Sequence, residues 1–139
     1  MTLHLNLPIA LVTALGLSVG TALAQDSGSV DRFYEALRTA DAEAIATVVA
    51  PDATIRLADL GFDMNGEEFV ESMDTWAEVV PTLKMRVKEG EGSTDAMEVR
   101  IVCYDFGTNQ SMTREVSTVE NGKIVANEQD EIAESCDGF

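Results

Sequence analysis

The stretch from Val30 to Ile55 constrains the fold more than any other part of the chain. Its first apolar residues recur at i, i+3, i+4 and i+7, the stripe of a helix with one buried face: Val30, Phe33, Tyr34 and Leu37. Asp41 can cap a second helix with its side-chain oxygen. Pro51 ends that helix, because the residue before a proline avoids the α region. Residues 53–55 then predict a strand, so both helices need a sheet on which to bury their apolar faces.

The rest of the chain predicts a third helix followed by strands. Apolar residues at helical spacing extend this helix from Glu67 to Val80, just before Pro81. Residues 57–66 before it predict a loop. After Pro81 the apolar period changes to two, which is typical of half-buried strands over residues 83–88, 97–104, 112–120 and 123–132. Helices followed by an antiparallel meander indicate an α+β domain.

The first 24 residues have the pattern of a signal peptide. An apolar run from Leu7 to Val19, too short to span a bilayer comfortably, precedes the small-x-small site Ala22-Leu23-Ala24. We therefore expect residues 1–24 to be cleaved and residues 25–139 to form one domain, periplasmic or secreted, without membrane attachment.

Charge and cysteine content exclude several functions. The 9 Lys and Arg stand against 25 Asp and Glu, and a net charge of −16 disfavours nucleic acid and anionic membranes as partners. The only histidine, His4, lies in the leader, and the cysteines form no metal motif, so we expect no metal and no cofactor. Two cysteines in an exported protein predict the disulfide Cys103–Cys136, worth about 4 kcal/mol in the chain-entropy model.

Hairpin register predicts which face of the sheet meets the helices. A two-residue turn at 121–122 and a four-residue loop at 107–110 divide the strand residues between two faces. One face collects Met97, Val99, Ile101, Cys103, Met112, Val116 and Val125. The other face collects Glu98, Arg100, Glu115, Ser117, Glu128 and Asp130. Because only the first has enough apolar area to bury, we expect it to face inward, with Glu115 and Glu128 in solvent.

Polar residues gather at one end of the predicted inner face: Asp105, Arg114, Asn127, Gln129 and Glu131. Beside an apolar wall such a group indicates a small-ligand pocket. The predicted wall comprises Phe33, Tyr34, Leu57, Trp76, Val99 and Val116. Arg114 could hold a carboxylate or carbonyl oxygen, with Asn127 and Gln129 fixing its orientation. The alternative is that the sheet runs past its core there, leaving these side chains in water with Arg114 paired to Glu131.

The run FYEALRTADAEAIATVVAPDATI resembles the opening of the nuclear transport factor 2-like superfamily, which includes SnoaL-like polyketide cyclases and ketosteroid isomerases. The segments GEEF at 66–69 and NGKIV at 121–125 also match, and the likeness covers residues 30–132. It implies a cone, in which a curved antiparallel sheet is closed by three helices around a pocket, often in a homodimer. It implies no particular chemistry, since one fold hosts enzymes and binders alike.

The catalytic residues of the superfamily largely fail to carry over. The ketosteroid-isomerase tyrosine falls on Phe33 and the general-base aspartate on Leu57, neither of which can perform the role, while the second acid falls near 115–116. Steroid isomerisation is therefore rejected. The aromatic and acid that often end the last strand of SnoaL-like cyclases are also missing, although that comparison could turn Asp130, rather than Gln129, toward the cavity.

Three hypotheses follow. The first is an exported domain that binds a small, partly apolar molecule in the cone pocket, without an established reaction. The second is a lyase, isomerase or hydratase that uses Glu131 or Asp130 as general acid/base, which requires a raised carboxyl pKa. The third is an interaction module that uses the outer sheet face, which is disfavoured because that face is expected to be acidic.

Overall fold

A computed structural model describes residues 28–139, and the predicted signal peptide lies outside the described residues. The helices are α1 (Ser29–Thr39), α2 (Ala42–Val48), α3 (Gly66–Glu71) and α4 (Met73–Val79), with 3-10 turns at Ala58–Leu60 and Val80–Thr82. The strands are β1 (Val49–Leu57), β2 (Phe62–Asn65), β3 (Lys84–Glu89), β4 (Met97–Asp105), β5 (Gln110–Glu120) and β6 (Lys123–Ala133). Within this part of the chain, no helix is long and apolar enough to cross a membrane.

Local capping explains where the helices begin. The Asp41 side chain accepts the Ala44 backbone N–H at 2.9 Å, as the sequence predicts for α2. At α3, Asn65 accepts the Glu68 N–H while the Glu68 carboxylate accepts the Asn65 N–H, a complete capping box. Helix α4 follows α3 directly through Ser72, so the two together form the predicted third helix.

The six strands form one curved sheet in the order β2-β1-β6-β5-β4-β3. The α+β cone fold is thereby confirmed, with two differences from expectation. The predicted loop at 57–66 contains β2, which pairs with β1 as an antiparallel edge strand. Strand β1 lies parallel to β6, so the sheet is mixed. The parallel pairing of β1 with β6 joins segments distant in sequence, which local patterning does not specify, whereas β2 pairs with β1 across only the 58–61 turn.

A one-residue irregularity in β6 changes the register of the last hairpin. Glu120 lies opposite Lys123, as predicted, but Thr118 lies opposite Ala126 and not opposite Val125. Because side chains alternate along a strand, this slip moves residues 126–131 of β6 to the other face relative to β5, until a second irregularity after Glu131 restores the original alternation. The prediction assumed an uninterrupted ladder.

The face of β4 and β5 that meets the helices is the one predicted to be outside. Glu115 and Ser117 are buried, and Glu115 bonds to Tyr34 of α1. Arg100 is also buried and pairs with Asp31 of α1 at 3.1 Å. The prediction of Glu115 as a solvated residue is therefore wrong, whereas Glu128 is exposed as expected.

The apolar areas of the two faces do not decide which face meets the helices, because other segments of the chain cover the outer face. A Cβ on Gly90 would lie 2.7 Å from Val99, so the 90–93 turn packs against this side of β4. The C-terminal tail covers Cys103 through the predicted disulfide to Cys136, with 5.6 Å between the two Cα atoms. This disulfide is confirmed.

The main core lies between the inner sheet face and the helices. Its fully buried residues come from the stripes of α1 and α2 and from the adjoining strands: Val30, Phe33, Ile45, Val48, Ile55, Val102 and Ile124. The Phe33 ring stacks on Phe69 of α3 at 5.7 Å between centroids. This packing holds α3 over the sheet and fixes one wall of the space beside it.

Candidate functional site

A cavity of about 440 Å³ lies between helices α3 and α4 and the inner face of β4, β5 and β6. Its walls are mostly apolar and include Leu37, Leu57, Met64, Phe69, Trp76 and Phe106. Phe69, Met73, Trp76 and Val79 are helically spaced, so one stripe of α3 and α4 supplies much of the lining. The volume falls within the range of small-molecule sites. The exposed Leu60 stands at the mouth.

The polar floor of the cavity is organised by Glu115, which is 0 % exposed. Its carboxylate accepts hydrogen bonds from the hydroxyls of Tyr34 at 2.7 Å, Tyr104 at 2.7 Å and Thr113 at 2.8 Å. Tyr104 and Thr113 also line the cavity, so Glu115 lies directly behind two lining hydroxyls.

Burial controls the protonation of this cluster. It raises the pKa of the Glu115 carboxyl, while the three hydroxyl hydrogen bonds act in the opposite direction. Burial and the adjacent Glu115 charge raise the pKa of both Tyr34 and Tyr104 above the usual range of a phenol. Both phenols therefore remain protonated at neutral pH and serve as donors to the carboxylate.

The structure brings only part of the predicted site together. Leu57, Trp76 and Gln129 line the cavity. Phe33 and Tyr34 lie in the buried core, where Tyr34 reaches the floor through Glu115. Asn127 is buried beside the cavity, donates to Ser117 at 2.9 Å and accepts the Gln129 side-chain N–H at 3.0 Å. Asn127 thus orients Gln129.

Three predicted pocket residues lie on the opposite face of the sheet. Val99 and Arg114 do so because β4 and β5 present their other faces to the helices, and Val116 lines a small groove outside. Arg114 lies opposite Asp130 across the β5–β6 ladder. The prediction that Arg114 forms the polar end of the cavity is therefore wrong. The described lining contains no Lys, Arg, Asp or Glu.

The two carboxylates predicted as general acid/base also lie outside the lining. Glu131 is exposed, accepts the Ser111 hydroxyl at 2.5 Å, and its backbone N–H bonds to Asp59. Asp130 lies on the outer face with Arg114. The buried acid beside the cavity is Glu115, which hydrophobic patterning missed. The superfamily resemblance was the one signal for it, since it placed a second acid near 115–116.

Other parts of the described surface offer weaker sites. A depression of about 550 Å³ beside the 105–110 turn is lined only by polar residues and glycine, so it cannot bury an apolar ligand. Among residues 28–139, no group of three or more His, Cys, Asp or Glu is placed to hold a metal ion.

Comparisons with solved structures agree with this architecture. IdmH from Streptomyces antibioticus, a candidate polyketide cyclase, has 17 % identity and a TM-score of 0.59, with 75 % of this chain and 89 % of that chain covered. An LEH-like epoxide hydrolase from M. tuberculosis has 16 % identity, a TM-score of 0.55, and coverages of 74 % and 79 %. A candidate ketosteroid isomerase from Kribbella flavida has 9 % identity, a TM-score of 0.62, and coverages of 76 % and 76 %. At these identities the likeness shows the fold alone.

A curved sheet capped by helices around a cavity defines the nuclear transport factor 2-like class of proteins. The family model of the SnoaL-like domain matches residues 30–127, so the chain belongs to the SnoaL-like domain family. No curated protein matches the chain.

Proposed function

We propose that this protein is an exported SnoaL-like domain that binds a small, partly apolar molecule in its cavity, without an established reaction. The observation that carries the proposal is the cavity itself, about 440 Å³ of mostly apolar lining above a hydrogen-bonded floor. Burial of an apolar ligand there would supply most of the affinity. The floor would orient the ligand without large rearrangement, since its hydroxyls are already held by Glu115.

Export is supported by two independent features. The N-terminal 24 residues have the composition of a signal peptide. The Cys103–Cys136 disulfide is a bond that persists in oxidising compartments such as the periplasm. N-terminal sequencing of protein recovered from the periplasm or medium tests this part, and a chain that still begins at Met1 would contradict it.

The single tryptophan gives a direct assay for binding. Trp76 lines the cavity, so a ligand that enters should change its emission. We expect 1-adamantanol, a compact apolar probe that does not absorb in this region, to produce a saturable change with one site per chain. Val79→Phe places a ring in the cavity and should weaken binding by at least about tenfold.

Val116→Phe is the matched control, because it makes the same substitution at a half-buried position on the outer sheet face. Equal binding by wild type, Val116→Phe and Val79→Phe would place the probe elsewhere. That result would contradict the cavity as the binding site.

The second candidate is an enzyme of lyase, isomerase or hydratase type. The observation that favours it is the contact between Tyr104, which lines the cavity, and the buried Glu115. A proton could pass between a bound substrate and Glu115 through the Tyr104 hydroxyl, giving acid/base catalysis of a kind that needs a shifted carboxyl pKa. A ¹³C NMR titration of Glu115 separates the two functions, since an unshifted pKa near 4 would leave no base for neutral pH.

A homodimer is a further part of the proposal, suggested by the superfamily resemblance. The outer sheet face presents Met97 and Ile101 where an acidic surface was expected, and Met97 is 40 % exposed. A second copy of the chain could cover this apolar area. Sedimentation equilibrium should give twice the chain mass, and Met97→Arg should shift the equilibrium toward monomer.

A further inference from the structure

We propose that the cavity selects its ligand by the hydrogen-bond donors that the ligand carries. The favoured class is an alcohol, phenol or amine on an apolar body, in preference to a carboxylate or an analogue that lacks the donor. This inference rests on the proposed function, because it concerns the ligand of the same cavity.

The hydroxyls of the floor already use their hydrogens in hydrogen bonds to Glu115. A hydroxyl carries a single hydrogen, so one that donates it to a carboxylate oxygen has none left for a ligand. Tyr104 and Thr113 both donate to the same oxygen of Glu115, at 2.7 Å and 2.8 Å. What these two hydroxyl oxygens can still offer a ligand is a lone pair. The floor is therefore an acceptor surface, although its side chains are nominally both donors and acceptors.

The lining away from the floor follows the same pattern. Three more groups donate their hydrogen to a protein oxygen: Ser72 to the Phe69 carbonyl at 2.6 Å, Ser111 to Glu131 at 2.5 Å, and the Trp76 indole to the Leu37 carbonyl at 2.8 Å. Gln129 uses one side-chain N–H on Asn127 and so retains one N–H and its oxygen. Thr75 lies exposed at the rim. Acceptors thus predominate in the described lining.

Charge favours the same ligand class. The lining contains no cationic side chain to balance an anion, and Glu115 lies directly behind the floor. The nearby Arg100 is already engaged by Asp31 and Glu98, at 3.1 Å and 2.7 Å. A carboxylate ligand would place its lone pairs against those of Tyr104 and Thr113 and next to the buried Glu115, where the floor has no donor to replace the water it loses.

Two matched probe pairs test the inference in titrations of wild-type protein followed by Trp76 emission. The neutral pair is 1-adamantanol and 1-fluoroadamantane, in which fluorine replaces the hydroxyl at nearly the same size. The charged pair is protonated 1-aminoadamantane and adamantane-1-carboxylate. We expect the donor to bind at least about tenfold more tightly than its partner in each pair, the effect of one satisfied buried hydrogen bond.

Variants locate the effect on the floor. Thr113→Val removes one acceptor and should reduce the affinity ratio of 1-adamantanol to 1-fluoroadamantane at least about threefold, while 1-fluoroadamantane binds as before. Thr118→Val makes the same substitution on the outer face of the same strand and should leave the ratio unchanged. Circular dichroism checks that each variant folds, and Tyr104→Phe replaces Thr113→Val if that variant does not.

The outcomes separate the inference from the function on which it rests. If both members of either pair bind equally, or the fluoride or carboxylate binds more tightly, the cavity still binds apolar molecules but the donor selection is refuted. If Thr118→Val lowers the ratio as much as Thr113→Val does, the floor is not its source and the inference also fails. If no probe alters Trp76 emission, the binding function itself fails and the inference with it.

Discussion

Replacement of Glu115 by alanine tests the central arrangement of the molecule, a buried carboxylate held by three hydroxyls. In the wild type, the hydroxyls of Tyr34, Tyr104 and Thr113 all donate to Glu115. Alanine removes the acceptor of all three hydroxyls. Glu115 is 0 % exposed, so no water is at hand to replace its oxygens. The expected result is a large loss of stability from a residue that sequence patterning placed on the surface.

The magnitude follows from the number of groups left without a partner. A buried donor that loses its acceptor costs about 1–3 kcal/mol. Three such donors give a loss of stability of at least about 3 kcal/mol for Glu115→Ala. We expect the low end of the range because the variant also removes the cost of burying a charge. A domain of this size is stable by about 5–15 kcal/mol in total, so the loss is readily measured.

Glu115→Gln should behave differently. The amide has nearly the shape of the carboxyl group, and its oxygen can accept from Tyr104 and Thr113 while its N–H donates to the Tyr34 oxygen. Only the Tyr34 hydrogen loses its acceptor and no charge is buried, so we expect a loss of about 1 kcal/mol, well below that of Glu115→Ala. The contrast between the two variants separates loss of the acceptor from loss of the charge.

Urea unfolding at pH 7, followed by far-UV circular dichroism, gives the free energy of unfolding of each variant. Glu120→Ala is the control, because Glu120 lies exposed at the end of the same strand and should change stability by less than about 0.5 kcal/mol. If Glu115→Ala costs no more than this control, the three hydroxyls do not depend on the carboxylate, and the reasoning is refuted.

The remaining predictions concern pH, the disulfide and backbone packing. Folding raises the pKa of the Glu115 carboxyl, so its contribution to stability is complete below the unfolded pKa of about 4.3 and is lost as pH rises through the folded pKa. The free energy of unfolding of Glu115→Gln relative to wild type should therefore increase in urea titrations between pH 4 and pH 9. Reduction of the disulfide should lower the free energy of unfolding by about 4 kcal/mol, measured with and without dithiothreitol. Gly66→Ala would place a Cβ 1.9 Å from the Ala50 carbonyl oxygen and should cost about 1–3 kcal/mol, whereas Gly28→Ala, with its nearest atom at 3.8 Å, should change stability little in the same assay.

Local signals predicted the helical half of the molecule well. The spacing of Val30, Phe33 and Leu37 placed one face of α1 in the core, and all three are buried there. Asp41 caps α2 in the way its position suggested. These features depend on contacts within a few residues of the chain, so the sequence contains them in readable form.

The sheet was predicted less well, because its faces depend on contacts distant in sequence. A single extra residue near Val125 changed the register of β6. The count of apolar residues then favoured the wrong side of β4 and β5, since it could not include the turn that covers Val99 or the tail that covers Cys103. For the same reason, Arg114 lies outside the predicted pocket and Glu115 lies at its floor.

The sequence by itself determined the class of the domain: amphipathic helices, a meander of strands, a disulfide and a superfamily resemblance that the family match confirms. Tertiary structure alone decided the chemistry of the cavity. Whether a hydroxyl offers a ligand its hydrogen or its lone pair depends on the group behind it, and for Tyr104 and Thr113 that group is Glu115. Sequence patterning placed this carboxylate in solvent, because the apolar residues of the strands alone do not reveal that a turn and the C-terminal tail cover the opposite face of the sheet.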